Sequence, residues 1–343
     1  MATSVLSRLV YRSVNRYLGC NPNRAAPLSS KIKEVEMKSV SFKHKTWEVA
    51  ANLHLPKGFD ETKAYPAIVV AHPISSCKEQ TAAIYADQLA EAGYLCLAFD
   101  ASTQGASGGP DQYLEDPASR VEDFRCAADY LVTLDFVDSD RIGVLGICGG
   151  GGYAVNAALT ERRFKAVGTV VAANYGRLLR EANLSGDSGL SALEAICAQR
   201  SAEARGAEPA ITGYIPRNKE ELAQSGIQDV DVVEAVDYYT TRRGQQPGSP
   251  NKLNVVSTQA AFGWDAFHLV DKLLTQPLQI VIGGGQPGIF GSYRDGFELF
   301  DKARSDKKDL FIVPGATHYD LYDQPEPVAQ AAGKLIAFYD ENL

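Results

Sequence analysis

The sequence predicts a mostly parallel α/β sheet covered by helices on both faces and interrupted by a helical insertion. Three observations carry this. Short continuous apolar runs alternate with amphipathic segments of helical period along most of the 343 residues. Arg141 to Asn156 reads as a buried strand, a turn too tight for side chains, and a helix. Residues of about 175–262 break the rhythm, and the rhythm then resumes.

In chain order, 37–43 and 48–55 alternate well enough to be two antiparallel strands joined around Trp47. Ala67 to Ala71 is wholly apolar, as expected of a strand covered on both faces, and a helix follows to about Ala92. Tyr94 to Phe99 is the next buried strand, ending at Asp100. Gly105 to Pro110 reads as a loop and Ser119 to Leu134 as a helix. The strand Ile142 to Leu145 leads into the tight turn, and Lys165 to Ala172 supplies another strand. The insertion is polar and rich in Ala, Glu and Arg, shows no strand alternation, and is expected to be a mainly helical cap. Beyond it come a helix (264–274), a strand (278–282), a helix (292–303), a strand (310–313) and a closing helix (327–339).

The bulk composition is that of an ordinary globule, with 45% hydrophobic and 22% charged residues. A formal charge of −8 argues against nucleic acid as a partner. No apolar run approaches the roughly 18 residues that a membrane span needs. The six cysteines are scattered without a C-x-x-C pair or a Cys/His cluster, which points to a reducing compartment and no structural metal. The expected location is the cytoplasm. Residues 1–36 form a distinct basic extension, and Met1 to Lys33 holds no acidic residue. Arg8, Arg12 and Arg16 share one face of a candidate helix there. That segment reads either as a surface helix or as a transit segment, which would place the protein in the mitochondrial matrix.

The chemistry centres on Cys148, in Gly146-Ile147-Cys148-Gly149-Gly150. The flanking glycines allow a sharp bend that lifts the central side chain above the sheet, and the following helix aims free N–H groups at it. A cysteine nucleophile needs a base. Of five histidines, His44 and His54 lie in early strands, His72 precedes Pro73 in a structural turn, and His268 falls within the expected 264–274 helix. His318 follows the last short strand on a loop opened by Pro314 and Gly315, where the ends of parallel strands converge. Cys77, Cys96, Cys126 and Cys197 read as packing residues. Gly149-x-Gly151-x-x-Ala154 fits a dinucleotide fingerprint only formally, because no acidic residue occurs between Lys165 and Arg180. No phosphate-binding loop occurs, and no cofactor is expected.

From about residue 37 onward the chain resembles the α/β-hydrolase superfamily, in particular dienelactone-hydrolase-like proteins and the fungal polyketide transferase/thiohydrolase group. The likeness rests on His72-Pro73 with Lys78-Glu79-Gln80, and on Phe99-Asp100 with Gly105 and Ser107-Gly108. It rests further on the Cys148 turn and on Gly315-Ala-Thr-His-Tyr-Asp-Leu-Tyr322. The resemblance implies an α/β-hydrolase domain over 37–343 with its cap at about 175–262, a nucleophile preceding the histidine in the chain, and an oxyanion hole of backbone N–H groups. Gly149 and, since Pro73 has no N–H, Ile74 would supply that hole. It also implies an acid after the penultimate strand, but Gly283 to Ser292 holds no carboxylate. Asp295 is the nearest candidate and Asp320 the alternative; Asp265 reads as a helix cap. The expected activity is acyl transfer to an alcohol, or hydrolysis, of a small-molecule acyl ester or thioester, polyketide-like, free or bound to a carrier protein. The alternative is a catalytically silent fold used for binding or as a scaffold, kept open by the missing acid.

Overall fold

A computed structural model describes residues 35–181 and 188–343. The expectations for residues 1–33 lie outside the described residues. Val35–Leu343 forms one compact unit.

The chain opens with strands β1 (Met37–His44) and β2 (Trp47–His54), then β3 (Tyr65–Ala71), helix α1 (Ala83–Glu91), β4 (Leu95–Phe99) and α2 (Pro117–Leu131). Next come β5 (Val137–Ile147), α3 (Gly149–Thr160) and β6 (Phe164–Val170). The insertion follows, with α4 (Tyr175–Glu181), α5 (Ser188–Glu203), β7 (Ile211–Thr212), α6 (Lys219–Ser225), α7 (Val230–Thr240), β8 (Leu253–Asn254) and α8 (Thr258–Phe262). The chain closes through α9 (Val270–Leu273), β9 (Leu278–Gly284), α10 (Ser292–Lys302), β10 (Lys308–Pro314), α11 (Asp320–Asp323) and α12 (Pro325–Asn342).

Eight strands form one sheet in the order β1-β2-β4-β3-β5-β6-β9-β10. The first two pair antiparallel, β2 pairs antiparallel with β4, and every later pairing is parallel. The apolar runs explain the burial. Successive residues of a strand face opposite sides of the sheet, so Ala67 and Val69 enter one core with Leu95, Leu97, Phe124 and Tyr153. Ile68 and Val70 enter the other with Leu89, Leu335 and Tyr339. A continuous run thus feeds two helical layers, as the parallel reading requires.

Two local expectations are corrected. The insertion is mainly helical but contains a short antiparallel ribbon, Ile211↔Asn254 and Thr212↔Leu253, too brief to leave an alternating pattern. The helix expected over 264–274 shrinks to α9. Asp265 Oδ1 accepts the Phe267 N–H at 2.9 Å, closing a turn in place of a helical bond, and Leu269 sits at φ 66°, which no right-handed helix accommodates. His268 therefore lies in a turn.

The topology brings the loops after β3, β5 and β10 to one edge of the sheet. Among the described residues no helix is long and apolar enough to cross a membrane.

Candidate active site

The turn between β5 and α3 has the strain its sequence demands. Cys148 lies at φ 53° and ψ −125°, a conformation that costs a non-glycine residue about 1–3 kcal/mol. Its own backbone over-determines it. The Cys148 N–H donates to Val170 O at 3.0 Å, while its carbonyl accepts from Gly151 and Ala173 at 2.9 Å each. Gly146 is required by close approach, since a Cβ there would lie 2.3 Å from Gly150 O.

The thiol is 9% exposed. Burial pushes its pKa up to about 11, against the opposing pull of the Tyr322 hydroxyl and the Gly149 N–H. In the free protein the group is therefore a thiol at neutral pH. Ile74 stands beside the next residue, Gly149: a Cβ there would come within 2.5 Å of Ile74 Cδ1 and 3.5 Å of Ile74 N. The two residues read as oxyanion donors are thus brought together. The loop bearing Ile74 is itself constrained. Ser75 has φ 61°, and its carbonyl accepts from Ser249 Oγ of the insertion. The ring of His72 is occupied by Pro73 O at 2.6 Å and the Ala101 N–H at 3.0 Å. His72 holds the loop, as its turn-like sequence predicts.

His318 sits between β10 and α11 and is 5% exposed. Burial lowers its pKa to about 3, so the imidazole is neutral. Its Nε2 faces the Tyr322 hydroxyl at 3.2 Å, and that hydroxyl lies close enough to the Cys148 thiol to pull its pKa down. The phenol is thus a neighbour of both the sulfur and the imidazole. Phe290, Tyr319 and Tyr322 pack around the ring at centroid distances of 5.8, 5.2 and 5.3 Å.

The acid expectations are corrected by this geometry. Asp295 is fully buried but is claimed by Arg177, whose Nε and Nη2 donate to its two oxygens at 2.5 and 2.8 Å. The Asn174 N–H adds a third bond at 2.7 Å. Asp320 Oδ2 accepts the Thr317 N–H at 3.0 Å and closes the turn before α11. Neither touches His318. The group at His318 Nδ1 is the Ser292 hydroxyl, 2.8 Å away. Asp265, read as a helix cap, instead binds Asn174 Nδ2 at 2.7 Å within its turn.

Sequence reasoning missed four residues here. Tyr322 follows His318 by four positions, a spacing that places two side chains on one face of a helical turn, so it could have been found. Ser292 was read only as the start of a helix. Tyr239 and Asp231 come from α7, where no motif marks them. The Tyr239 hydroxyl is buried without a hydrogen-bond partner, although Ser76, Tyr322 and Cys148 lie close enough to influence its ionisation. Burial pushes the Asp231 carboxyl up to about 7, opposed by a bond from the Phe290 N–H and reinforced by Asp229 and Glu234.

A groove of about 1170 Å³ opens in the insertion, with Ile211, Ile215, Gln245 and Asn251 in its walls, and reaches Tyr239 and Ser249 beside the thiol and the Ser75 loop. Among the described residues, Cys77, Glu79 and Asp100 approach one another closely enough to ligate a metal. Lys78 Nζ already supplies a cation there, 2.6 Å from Glu79 and 2.8 Å from Asp100.

Comparison with known proteins bears on the family and the fold. Residues 68–331 match the alpha/beta hydrolase family. The uncharacterized protein YcjY of Escherichia coli K12 is 41% identical over 301 residues, covering 87% of this chain and 95% of that protein. The crystal structure of the hypothetical protein PA2218 from Pseudomonas aeruginosa superposes with a TM-score of 0.82 at 30% identity, covering 96% of this chain and all of that one. The acyltransferase drtE of Aspergillus calidoustus is 30% identical over 163 residues, 46% of this chain and 49% of that protein.

Proposed function

The chain belongs to the alpha/beta hydrolase family, and from that premise we propose that it transfers or hydrolyses acyl groups through a covalent acyl-enzyme on Cys148. The observation that carries this reading is the strained Cys148 turn, with its side chain linked to His318 through Tyr322. The acyltransferase activity named for drtE supports it as an analogy over half the chain.

In the proposed reaction the Cys148 sulfur attacks the carbonyl carbon of a small-molecule ester or thioester. The thiol proton passes to the Tyr322 oxygen as the Tyr322 proton passes to His318 Nε2. This relay is needed because the buried thiol, with a pKa near 11, gives up its proton only as the new bond forms. The tetrahedral oxyanion is held by the Ile74 and Gly149 N–H groups, a contribution of about 3 kcal/mol per donor. Collapse of that intermediate expels the alcohol or thiol, which takes the proton from the imidazolium. An alcohol or water then attacks the thioester on Cys148, returning the sulfur as a thiol. The groove ending at Tyr239 and Ser249 would hold the acyl chain or the acceptor. Its walls mix polar groups such as Gln245 and Asn251 with Ile211 and Ile215, which suits an acyl chain that carries oxygens along an apolar stem.

A second reading, a catalytically silent fold used for binding, is favoured by one observation: the residue at His318 Nδ1 is a serine hydroxyl, not a carboxylate. Intact-protein mass spectrometry after incubation with short and long acyl thioesters separates the two. An adduct of acyl mass on the wild type, lost in Cys148→Ala, is the expected result. Identical unmodified masses for both proteins across the panel would favour the binding reading.

A further inference from the structure

The loop after β9, where a family acid would stand, carries no carboxylate from Gly283 to Gly291. Its backbone instead grips carboxylates from the insertion. Ile289 N–H donates to both oxygens of Asp229 at 3.2 and 3.1 Å, and Phe290 N–H donates to Asp231 Oδ2 at 2.8 Å. Gly288 packs so tightly on Asp231 that a Cβ there would lie 2.2 Å from its Cγ. The first turn of α7 is thereby held where the loop would otherwise present an acid.

Asp231 is 2% exposed, and among the described residues its Oδ1 accepts no hydrogen bond and no Lys or Arg pairs with it. A buried carboxylate without a cation is costly, and such a group calls for a role. Asp231, Ser292 and His318 together line a cavity of about 20 Å³, the size of a single water molecule. The carboxylate faces the reaction centre closely enough to act on the ionisation of both Cys148 and Tyr319.

We propose that Asp231, delivered by the cap helix α7, is the positioning acid for His318, acting through the Ser292 hydroxyl and one water in the cavity between them. The assignment rests on the reading of Cys148 and His318 as nucleophile and base. His318 Nδ1–H donates to Ser292 Oγ, and the Ser292 hydroxyl donates through the water to Asp231 Oδ1. That order fixes the tautomer with Nε2 free to receive the relayed proton. The imidazolium that forms is balanced by the Asp231 carboxylate where it is ionised, a fraction that grows as pH rises through about 7. The proposed acid is thus carried by the insertion and not by the sheet, so the seating of α7 on the loop after β9 sets the geometry at His318.

Asp231→Asn tests this with little change of shape, since its side-chain oxygen can still accept from Phe290 N–H. Ser292→Ala breaks the same relay without touching Asp231, and Asp231→Glu restores the charge. The first readout is the His318 ring resonances of 15N-labelled full-length protein, which do not depend on turnover. The expected result is a deshielded Nδ1 proton in wild type that moves upfield in Asp231→Asn and in Ser292→Ala. The second is the burst of p-nitrophenol from p-nitrophenyl acetate across pH, expected to slow about 100-fold in Asp231→Asn, with KM within about twofold and partial recovery in Asp231→Glu. Unchanged His318 resonances and an unchanged burst profile in Asp231→Asn would overturn the assignment. A wild type that shows the resonance shift but no burst would keep Asp231 in place and overturn the acyl-enzyme reading instead.

Discussion

Tyr322 holds its hydroxyl 3.2 Å from His318 Nε2 and lies close enough to Cys148 to pull down the pKa of its thiol, so a phenol neighbours both the proposed nucleophile and the proposed base. In a direct pair, sulfur and imidazole exchange the proton themselves and form a thiolate–imidazolium couple. In the proposed relay each proton moves a short distance over two bonds. Tyr322→Phe removes the intermediary and keeps the ring that packs on Tyr238 and Tyr319. Acylation of Cys148, followed by stopped-flow release of p-nitrophenol, should slow about 100-fold, with a stability loss of only about 1 kcal/mol. A wild-type rate in Tyr322→Phe would mean that the tyrosine swings away and Cys148 meets His318 directly.

The same arrangement sets how Cys148 reacts without substrate. Burial raises the thiol to about 11, and His318 is already neutral with a pKa near 3. Alkylation by iodoacetamide, which needs the thiolate, should therefore be slow at pH 7 and keep rising through pH 10. A plateau reached by pH 7 would reveal a preformed thiolate–imidazolium pair and would contradict the relay.

How much of this was legible beforehand follows from the range over which each feature is determined. The strands declare themselves because residues such as Ile68 to Val70 and Leu95 to Phe99 are apolar without interruption, and burial on both faces leaves few alternatives. Cys148 and His318 could be singled out as candidates because a tight turn and a strand end are local events. The acid was not, since it depends on which cation claims which carboxylate. Asp295 stands one turn after the right loop, yet Arg177, 118 positions upstream, is bound to it. The insertion was the least legible part, because its contacts to the site run through single residues such as Tyr239 and Ser249 on segments of polar composition.

The pair that removed Asp295 from the site carries its own prediction. Truncating one member of a buried ion pair leaves the other charge unpaired, a loss of about 3–5 kcal/mol. Asp295→Ala should lower the unfolding free energy by that amount, read as a lower urea midpoint with little change in slope, because Arg177 and the Asn174 N–H lose their partner together. At low temperature, the fraction that remains folded should still acylate at near the wild-type rate. A loss of acylation with unaltered stability would return Asp295 to the catalytic group.

His318 also ties stability to pH. Its folded pKa, near 3, lies below the ordinary value of 6.5, so the folded state favours the neutral ring. Stability from this group is complete above pH 6.5. It declines as pH falls toward 3, because the unfolded chain binds a proton that the folded one refuses. Thermal melts of wild type and His318→Gln between pH 7 and pH 4 should show the wild type losing more of its Tm. Parallel curves would mean that the buried ring is protonated more easily than its surroundings imply.

Two glycines of the turn make opposite predictions from similar distances. At Gly146 an added Cβ meets the Gly150 backbone, its oxygen at 2.3 Å and its carbonyl carbon at 2.6 Å. Backbone cannot yield without opening the turn, so Gly146→Ala should fail to fold or lose several kcal/mol. At Gly149 the nearest atoms are Ile74 Cδ1 and Cγ1 at 2.5 Å, part of a side chain that can rotate. Gly149→Ala should fold with a cost of about 1–3 kcal/mol from overpacking. It should nevertheless set a methyl group 3.5 Å from Ile74 N, beside the proposed oxyanion position, and crowding there should lower kcat toward the roughly 10²–10³ that loss of one donor costs. Circular dichroism melts alongside burst kinetics test the contrast. A Gly149→Ala protein that keeps both its fold and its full acylation rate would show that the oxyanion is held elsewhere.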